Sequence, residues 1–384
     1  DDSAWDGGQA MRSAVVLAAA LGLASAPSVA AFLPSAPCGV ISFTQRSSAA
    51  CATPAVRVQA PLTTRSQARA RSSAAFLRMM ADGPLSLYSP AKTNLFLRIT
   101  KKRDDGFHEL ASVFQALGLG DTLEISRLPD SATADALSCN VAGVPLDGKN
   151  LIVQAFDLFR SKTGQTVFFN CDIDKQTPME GGMGGGSSNC ATALWAANKL
   201  CGDAASDEDL MVWGGALGSD VSFFLSEGTA YCTGRGEVIQ NISPPLSTPP
   251  GVFYILKPAE GCSTPAVYKA LGLEKGQALE GPDPVALRDK MVKEGISQSV
   301  CVNDLEPPAQ AVLPKLRDIK QALMDGGFST VLLSGSGATT FCHSTAAGAH
   351  PRKALEAKGL WEDSMVVAGP LPFVSRKRGG WYSK

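Results

Sequence analysis

The chain has 384 residues, 45% hydrophobic and 18% charged, enough to fill two domains with cores of their own. A formal net charge of −1 offers no basic excess and argues against nucleic acid as a partner. Ten cysteines without a C-x-x-C pair, and only three histidines (His108, His343 and His350), set aside zinc ribbons, thioredoxin-like centres and histidine-rich metal sites; buried free thiols in a reducing compartment remain.

Residues 1–80 differ from the rest. Between Asp6 and Asp82 there is no acidic residue and no lysine, yet there are seven arginines. Met11 and Arg12 open an apolar stretch at 14–24, followed by small residues at 28–31. That is the n-region, h-region and A-x-A-like site of a signal peptide, with cleavage expected just before Phe32. The apolar run is too short for a mature spanning helix. Residues 32–80 are rich in Ser, Ala and Arg, the composition of a transit peptide. The succession resembles the two-part leaders of algae whose plastids have extra membranes, and Ala31-Phe32-Leu33-Pro34 is similar to their cleavage motif. The resemblance implies a mature protein in the plastid stroma, free of membrane; a secreted protein with a linker is the alternative. Without the leader, 28 basic and 33 acidic groups leave a net charge of −5.

Past Gly83-Pro84 the composition changes. Alternation predicts a strand at 93–99, a charged turn at 101–106, and strands near 111–117 and 122–127. Helical apolar spacing follows at 151–160, then a β-rich run at 166–173. The densest glycine cluster comes next, Pro178-Met179-Glu180-Gly181-Gly182-Met183-Gly184-Gly185-Gly186-Ser187-Ser188, leading into an Ala-rich helix at 189–200. Ser206-Asp207-Glu208-Asp209 reads as a capped helix start, and 228–233 as a strand. Residues 242–251 hold four prolines and two serines and mark a domain boundary, with one domain at 84–243 and another at 251–370. The second domain reads as strands at 252–256, 330–333, 339–343 and 365–368, with helices near 267–271, 285–294, 309–324 and 352–358. Residues 371–384 read as a basic tail. Mixed elements on both sides of the boundary predict two α+β domains.

A strand, a glycine loop and a helix in that order place free backbone N–H groups at a positive helix end, an anion site. Side chains there would hold phosphate away and forbid positive φ. Ser187 and Ser188 open the helix, where hydroxyls cap it or reach phosphate or Mg²⁺. The loop lacks the Gly-Lys-Ser/Thr ending of a Walker A motif, and Asp207, at the spacing of a dinucleotide-site acid, stands at a helix start instead.

Residues 178–188 resemble the loop P-x-x-x-G-L-G-S/G-S-S of the GHMP kinases, with Met183 at the leucine position. Three further stretches are similar to the diphosphocytidyl-methylerythritol kinases within that superfamily. They are Ser89-Pro90-Ala91-Lys92-Thr93-Asn94-Leu95-Phe96-Leu97, Arg103-Asp104-Asp105-Gly106-Phe107-His108-Glu109-Leu110 and Leu217-Gly218-Ser219-Asp220-Val221-Ser222-Phe223-Phe224. Gly234-Arg235-Gly236-Glu237, Asn303-Asp304-Leu305-Glu306 and Ser334-Gly335-Ser336-Gly337-Ala338 also fit, so the likeness spans residues 84–370. Two positions depart from the pattern: Glu180 stands where glycine is usual, beside the phosphates, and Ser222 where proline is usual.

The resemblance implies an α+β, two-domain GHMP kinase fold, with a ribosomal-S5-domain-2-like N-terminal domain and a ferredoxin-like C-terminal domain. It implies ATP and Mg²⁺ as cofactors and a small cytidyl compound as substrate, acted on by a monomer or homodimer. By the match, Asp220 is the proton acceptor and Lys92 the cation of the phosphoryl-transfer site. From context alone, Asp220 reads as a capping or turn residue and Lys92 as a solvated strand lysine. Pro178, Met179, Gly181, Gly182, Met183, Gly184, Gly185, Gly186, Ser187 and Ser188, with Asn150, Leu151 and Lys175, are implied ATP-binding residues. Phe107, His108 and Tyr268 are implied partners of the cytosine, with Phe107 and Tyr268 as the two aromatic faces; Asn94, on the face of Lys92, is implied to touch substrate. Two alternatives stay open: another GHMP small-molecule kinase of homoserine-kinase type, or a non-catalytic ligand sensor on the same fold. An RNA-binding module of S5-like fold lacks the basic patch it needs.

Overall fold

A computed structural model of the chain describes residues 83–179 and 181–383. The expected leader, and Glu180 of the glycine loop, lie outside the described residues. Two long strands form the spine. β1 (Leu85–Lys102) and β2 (His108–Arg127) pair antiparallel, from Leu85 opposite Ile125 to Lys102 opposite His108. The sequence pattern predicts two strands where β2 runs unbroken. Its Gly120 serves a close backbone approach, since a Cβ there would stand 2.4 Å from the Ser89 carbonyl oxygen.

β3 (Ala136–Cys139), β4 (Phe169–Asp174), β5 (Thr229–Thr233) and β6 (Val238–Asn241) complete a six-stranded sheet in the order β3-β4-β2-β5-β6, with β1 on β2. Helices α1 (Leu151–Thr163), α2 (Gly185–Leu200), α3 (Asp207–Leu217) and α4 (Val221–Phe224) cover one face of it. Phe156, Phe159, Leu194 and Phe223 meet Leu123, Ile125 and Phe169 there. Ser206 caps α3 as predicted, in a reciprocal box with Asp209.

β7 (Val252–Lys257), β8 (Thr330–Leu333), β9 (Thr340–Ser344) and β10 (Val366–Ala368) form a second, antiparallel sheet in the order β10-β7-β9-β8. Around it lie α5 (Thr264–Leu271), α6 (Pro284–Glu294), α7 (Glu306–Val312), α8 (Lys315–Asp325) and α9 (Pro351–Glu356). The two-residue period of β7 sorts its side chains. Phe253 and Ile255 join Leu95, Phe96 and Leu117 in a core between the two sheets, while Tyr254 and Leu256 pack on Ile319, Leu323 and Leu355. The expected helix at 309–324 is broken, because Pro314 has no N–H to continue α7.

The segment from 371 on is not a free basic tail. Leu117 bridges Phe373, Val374 N donates to Ala116 O at 3.0 Å, and Tyr382 is 4% exposed in the first core. Aromatic Trp381 and Tyr382 outweigh the charges around them, because burying such rings removes large apolar areas from water. Among the described residues no helix is long and apolar enough to cross a membrane.

Candidate active site

The glycine loop runs from β4 into α2, and one buried carboxylate holds both of its ends. Asp121 on β2 is fully buried; it accepts from Lys175 Nζ at 2.6 Å, Gln176 N at 2.8 Å, Thr177 N at 2.7 Å and Asn189 Nδ2 at 2.9 Å. A buried charge is tolerable only when its lone pairs are matched in this way. Gly184 is the N-cap of α2 with φ 70°, and no side chain caps the helix. The amides of the first turn therefore face the cavity in front of it.

That cavity has a volume of about 390 Å³. Its wall holds Asn150, Leu151, Lys175, Pro178, Met179, Gly181, Gly182, Met183, Gly184, Gly185, Gly186 and Ser187, which places those expected nucleotide residues together. Val144, Pro145, Ile152 and Ile173 add an apolar end suited to a flat base. The Asn150 side chain is committed to local structure: it accepts from Ile152 N at 2.9 Å and donates to Pro145 O at 2.6 Å. Ser188, expected among the ATP residues, is elsewhere. Its side chain is fully buried and accepts from Ser89 Oγ at 2.8 Å, and its N–H closes the first turn on Gly184 O. Position in the helix decides this, since Ser187 lies on the open side and Ser188 on the sheet side.

Below the loop stands Lys92. It is 4% exposed, its backbone N–H donates to Met183 O at 2.9 Å, and its Nζ is 3.3 Å from Asp220 Oδ2. Nζ also donates to Asn94 Oδ1 at 2.9 Å and lies 4.5 Å from the centre of the Phe114 ring. Asp220 opens α4, makes no side-chain capping bond, and has a side chain 30% exposed, so its carboxylate is free for chemistry. Phe114 in turn meets Phe223 of α4 edge-on at 5.4 Å, which fixes the distance between strand and helix. Asn94 is 2% exposed; its Nδ2 donates to Ser112 Oγ at 2.9 Å, so it orients Lys92 and has no face turned to solvent. The turn at Gly335 is held by Asn303, whose Nδ2 donates to Leu333 O and Gly335 O, both at 2.8 Å.

On the other side of Asp220 the rings of His108 and Tyr268 lie 4.7 Å apart, tilted by 33°. The Tyr268 hydroxyl is pushed up to about 12, first by burial and then by the Asp220 charge. His108 Nε2 is buried with no hydrogen-bond partner, and burial, aided by Lys102, lowers the pKa of the ring. Phe107, expected as the opposite aromatic face of the cytosine, is 55% exposed, with the Arg235 guanidinium 5.4 Å from its ring centre. The turn carrying Arg235 also approaches Asp220, since a Cβ on Gly236 would be 3.9 Å from Asp220 Oδ1.

Asp121, Arg235 and Ser89 were not legible as site residues. Asp121 lay between the two strands predicted at 111–117 and 122–127, and only its burial in the unbroken β2 shows that it demands partners.

The family described as GHMP kinases N terminal domain matches residues 150–228. The chain is 50% identical over 266 residues to the chloroplastic 4-diphosphocytidyl-2-C-methyl-D-erythritol kinase of Arabidopsis thaliana, covering 67% of this chain and 68% of that protein. It is 43% identical over 258 residues to the 4-diphosphocytidyl-2-C-methyl-D-erythritol kinase of Protochlamydia amoebophila (strain UWE25), covering 67% and 84%. A crystal structure of 4-(cytidine 5'-diphospho)-2C-methyl-D-erythritol kinase superposes with a TM-score of 0.59 at 29% identity, over 76% of this chain and 100% of that one.

Proposed function

Because this chain belongs to the 4-diphosphocytidyl-2-C-methyl-D-erythritol kinases of the GHMP superfamily, we propose that it transfers the γ-phosphoryl of ATP to the 2-hydroxyl of 4-diphosphocytidyl-2-C-methyl-D-erythritol. This is a step of the methylerythritol phosphate route to isoprenoids. The observation that carries it is the Lys92–Asp220 pair at 3.3 Å, beside a glycine loop and an orphaned histidine nitrogen.

In the proposed reaction the substrate hydroxyl oxygen attacks the γ-phosphorus, the bond to the β,γ-bridging oxygen breaks, and ADP leaves. Asp220 takes the hydroxyl proton. Lys92, held by Asn94, pairs with the Asp220 carboxylate and offsets charge gathering on the phosphoryl group. The α2 amides and Gly181 to Ser187 hold the phosphates, and Val144, Leu151 and Ile173 take the adenine. Neutral His108 hydrogen-bonds the cytosine and Tyr268 gives it an aromatic face. A homoserine-type acceptor has no base to occupy that pair.

Mg²⁺ is proposed as the companion of ATP, neutralising phosphate charge when bound. Among the described residues no group of three or more His, Cys, Asp or Glu side chains is placed to hold a metal. Asp220 and the Ser187 hydroxyl are single oxygen donors, which suits an ion that keeps its waters and binds through phosphates. The segments 84–243 and 251–370 are proposed as the two kinase domains. The leader, without acidic residues between Asp6 and Asp82, and the chloroplastic relatives support action in the plastid stroma.

The test is to supply the purified protein with ATP–Mg²⁺ and three acceptors in turn: the cytidyl substrate, homoserine and mevalonate. ADP release on the first alone is expected. Comparable turnover of homoserine or mevalonate overturns the assignment.

A further inference from the structure

α4 is only four residues long, too short to hold its position by its own hydrogen bonds, so the placement of Asp220 depends on what grips the helix. At its start, Ser222 Oγ donates to Met211 O at 2.8 Å. Past its end, the carbonyls of Leu225 and Ser226 need partners, as do all final-turn carbonyls. Both receive them from Arg376. The guanidinium donates through Nη2 to Leu225 O and through Nε to Ser226 O at 2.9 Å, and through Nη1 to Gly380 O at 2.9 Å. Asp207 Oδ2 stands 3.6 Å from Nη2, and the whole residue is 6% exposed. A cation at a helix C-terminus is favoured by the helix dipole, and the planar fork fixes two carbonyls at once.

The same segment grips the other half of the catalytic pair. Trp381 Nε1 donates to Tyr88 O at 2.9 Å, on the strand that carries Lys92. The Tyr382 hydroxyl adds a second bond to Ser226 O at 3.3 Å.

We propose that Arg376 is a positioning residue for Asp220, and that residues 371–382 form a strap setting the relative placement of β1 and α4. The proposal rests on the reading of Asp220 as proton acceptor. It predicts that loss of the guanidinium moves the carboxylate without emptying either binding pocket.

The experiment compares Arg376→Lys, Arg376→Gln and Arg378→Ala in the full chain, with kcat and both KM values measured per folded molecule. Arg378 is exposed and pairs with Glu208, so its removal is expected to leave turnover unchanged. Arg376→Gln is expected to lower kcat by about 10²-fold, the scale of a ~1 Å misplacement, with both KM values within about two-fold, and Arg376→Lys to fall between. Turnover of a folded Arg376→Gln protein close to the parent's overturns the proposal, as does an equal loss in Arg378→Ala. If the Gln variant does not fold, Trp381→Phe replaces it: it keeps an aromatic ring and removes the donor to Tyr88 O. A fall in kcat at constant KM is then expected, and unchanged kcat overturns the proposal. Asp220→Asn is assayed alongside; full turnover there removes the reading of Asp220 itself, whereas failure of the Arg376 arm alone leaves it standing.

Discussion

Lys92 Nζ and Asp220 Oδ2 meet at 3.3 Å although one belongs to the first described strand and the other to a short helix on the far side of the glycine loop. The Lys92 side chain is 5% exposed and that of Asp220 30%, so the pair has one sheltered and one accessible end. In the proposed reaction the acceptor hydroxyl approaches from the Asp220 side. Asp220→Asn keeps the shape and removes the proton acceptor. It should cut kcat by about 10²–10⁴ while leaving both KM values nearly unchanged, as steady-state kinetics will show. Unchanged turnover would take Asp220 out of the chemistry.

Asp121 offers a test of the loop's foundations. Its carboxylate joins Lys175, Gln176 and Thr177 before the glycines to Asn189 after them. Asp121→Asn leaves the Lys175 ammonium without its buried partner, a loss of about 3–5 kcal/mol. The expected outcome is a Tm lower by roughly 10 °C and a raised KM for ATP, with the KM for the cytidyl substrate much less affected. Equal changes in both KM values would contradict a role confined to the nucleotide side.

His108 links the proposed base pocket to pH. Burial is the larger cause of its lowered pKa and Lys102 the smaller, so the native ring takes its proton only below the ordinary value of about 6.5. On acidification the unfolded chain is protonated first, so this residue's contribution to stability falls as pH drops through that window. His108→Gln should flatten that slope in thermal melts between about pH 5 and 7. The same variant should raise the KM for the cytidyl substrate by roughly ten-fold at pH 8, as expected for one lost hydrogen bond worth about 1.4 kcal/mol. A melt slope identical to the parent's would show that His108 does not titrate differently in the two states.

What sequence revealed and what it concealed follow a physical division. Local motifs were legible, because a glycine loop, a capping box and an alternating strand each write their geometry into neighbouring residues; Ser206 with Asp209 is an example. Contacts between remote segments were not. Asp121 gathers four partners from two separate stretches, and Arg376 meets Leu225 and Ser226 from the far end of the chain. Ser188 misled because two adjacent hydroxyls look alike in sequence, while helical rotation turns one to the cavity and the other to Ser89.

Two glycines separate what the fold requires from what the nucleotide requires. At Gly184 φ is +70°, and a Cβ would lie 3.0 Å from the Phe224 ring and 3.1 Å from Lys92 Cγ. Gly184→Ala therefore forces a left-handed alanine, at about 1–2 kcal/mol, against Lys92 and Phe224, and should lower both Tm and kcat. At Gly186 nothing lies within 4 Å of the added Cβ, and no unusual φ is needed. Gly186→Ala should keep the parent Tm, because no atom of the fold lies within 4 Å of the methyl group. If the cavity in front of α2 holds the phosphates, the methyl group keeps them from the α2 amides, and the KM for ATP should rise by at least ten-fold with the cytidyl KM unchanged. The measurement pairs melts with ATP titrations on both variants. A Gly186→Ala protein that binds ATP as tightly as the parent would place the triphosphate somewhere other than this helix end.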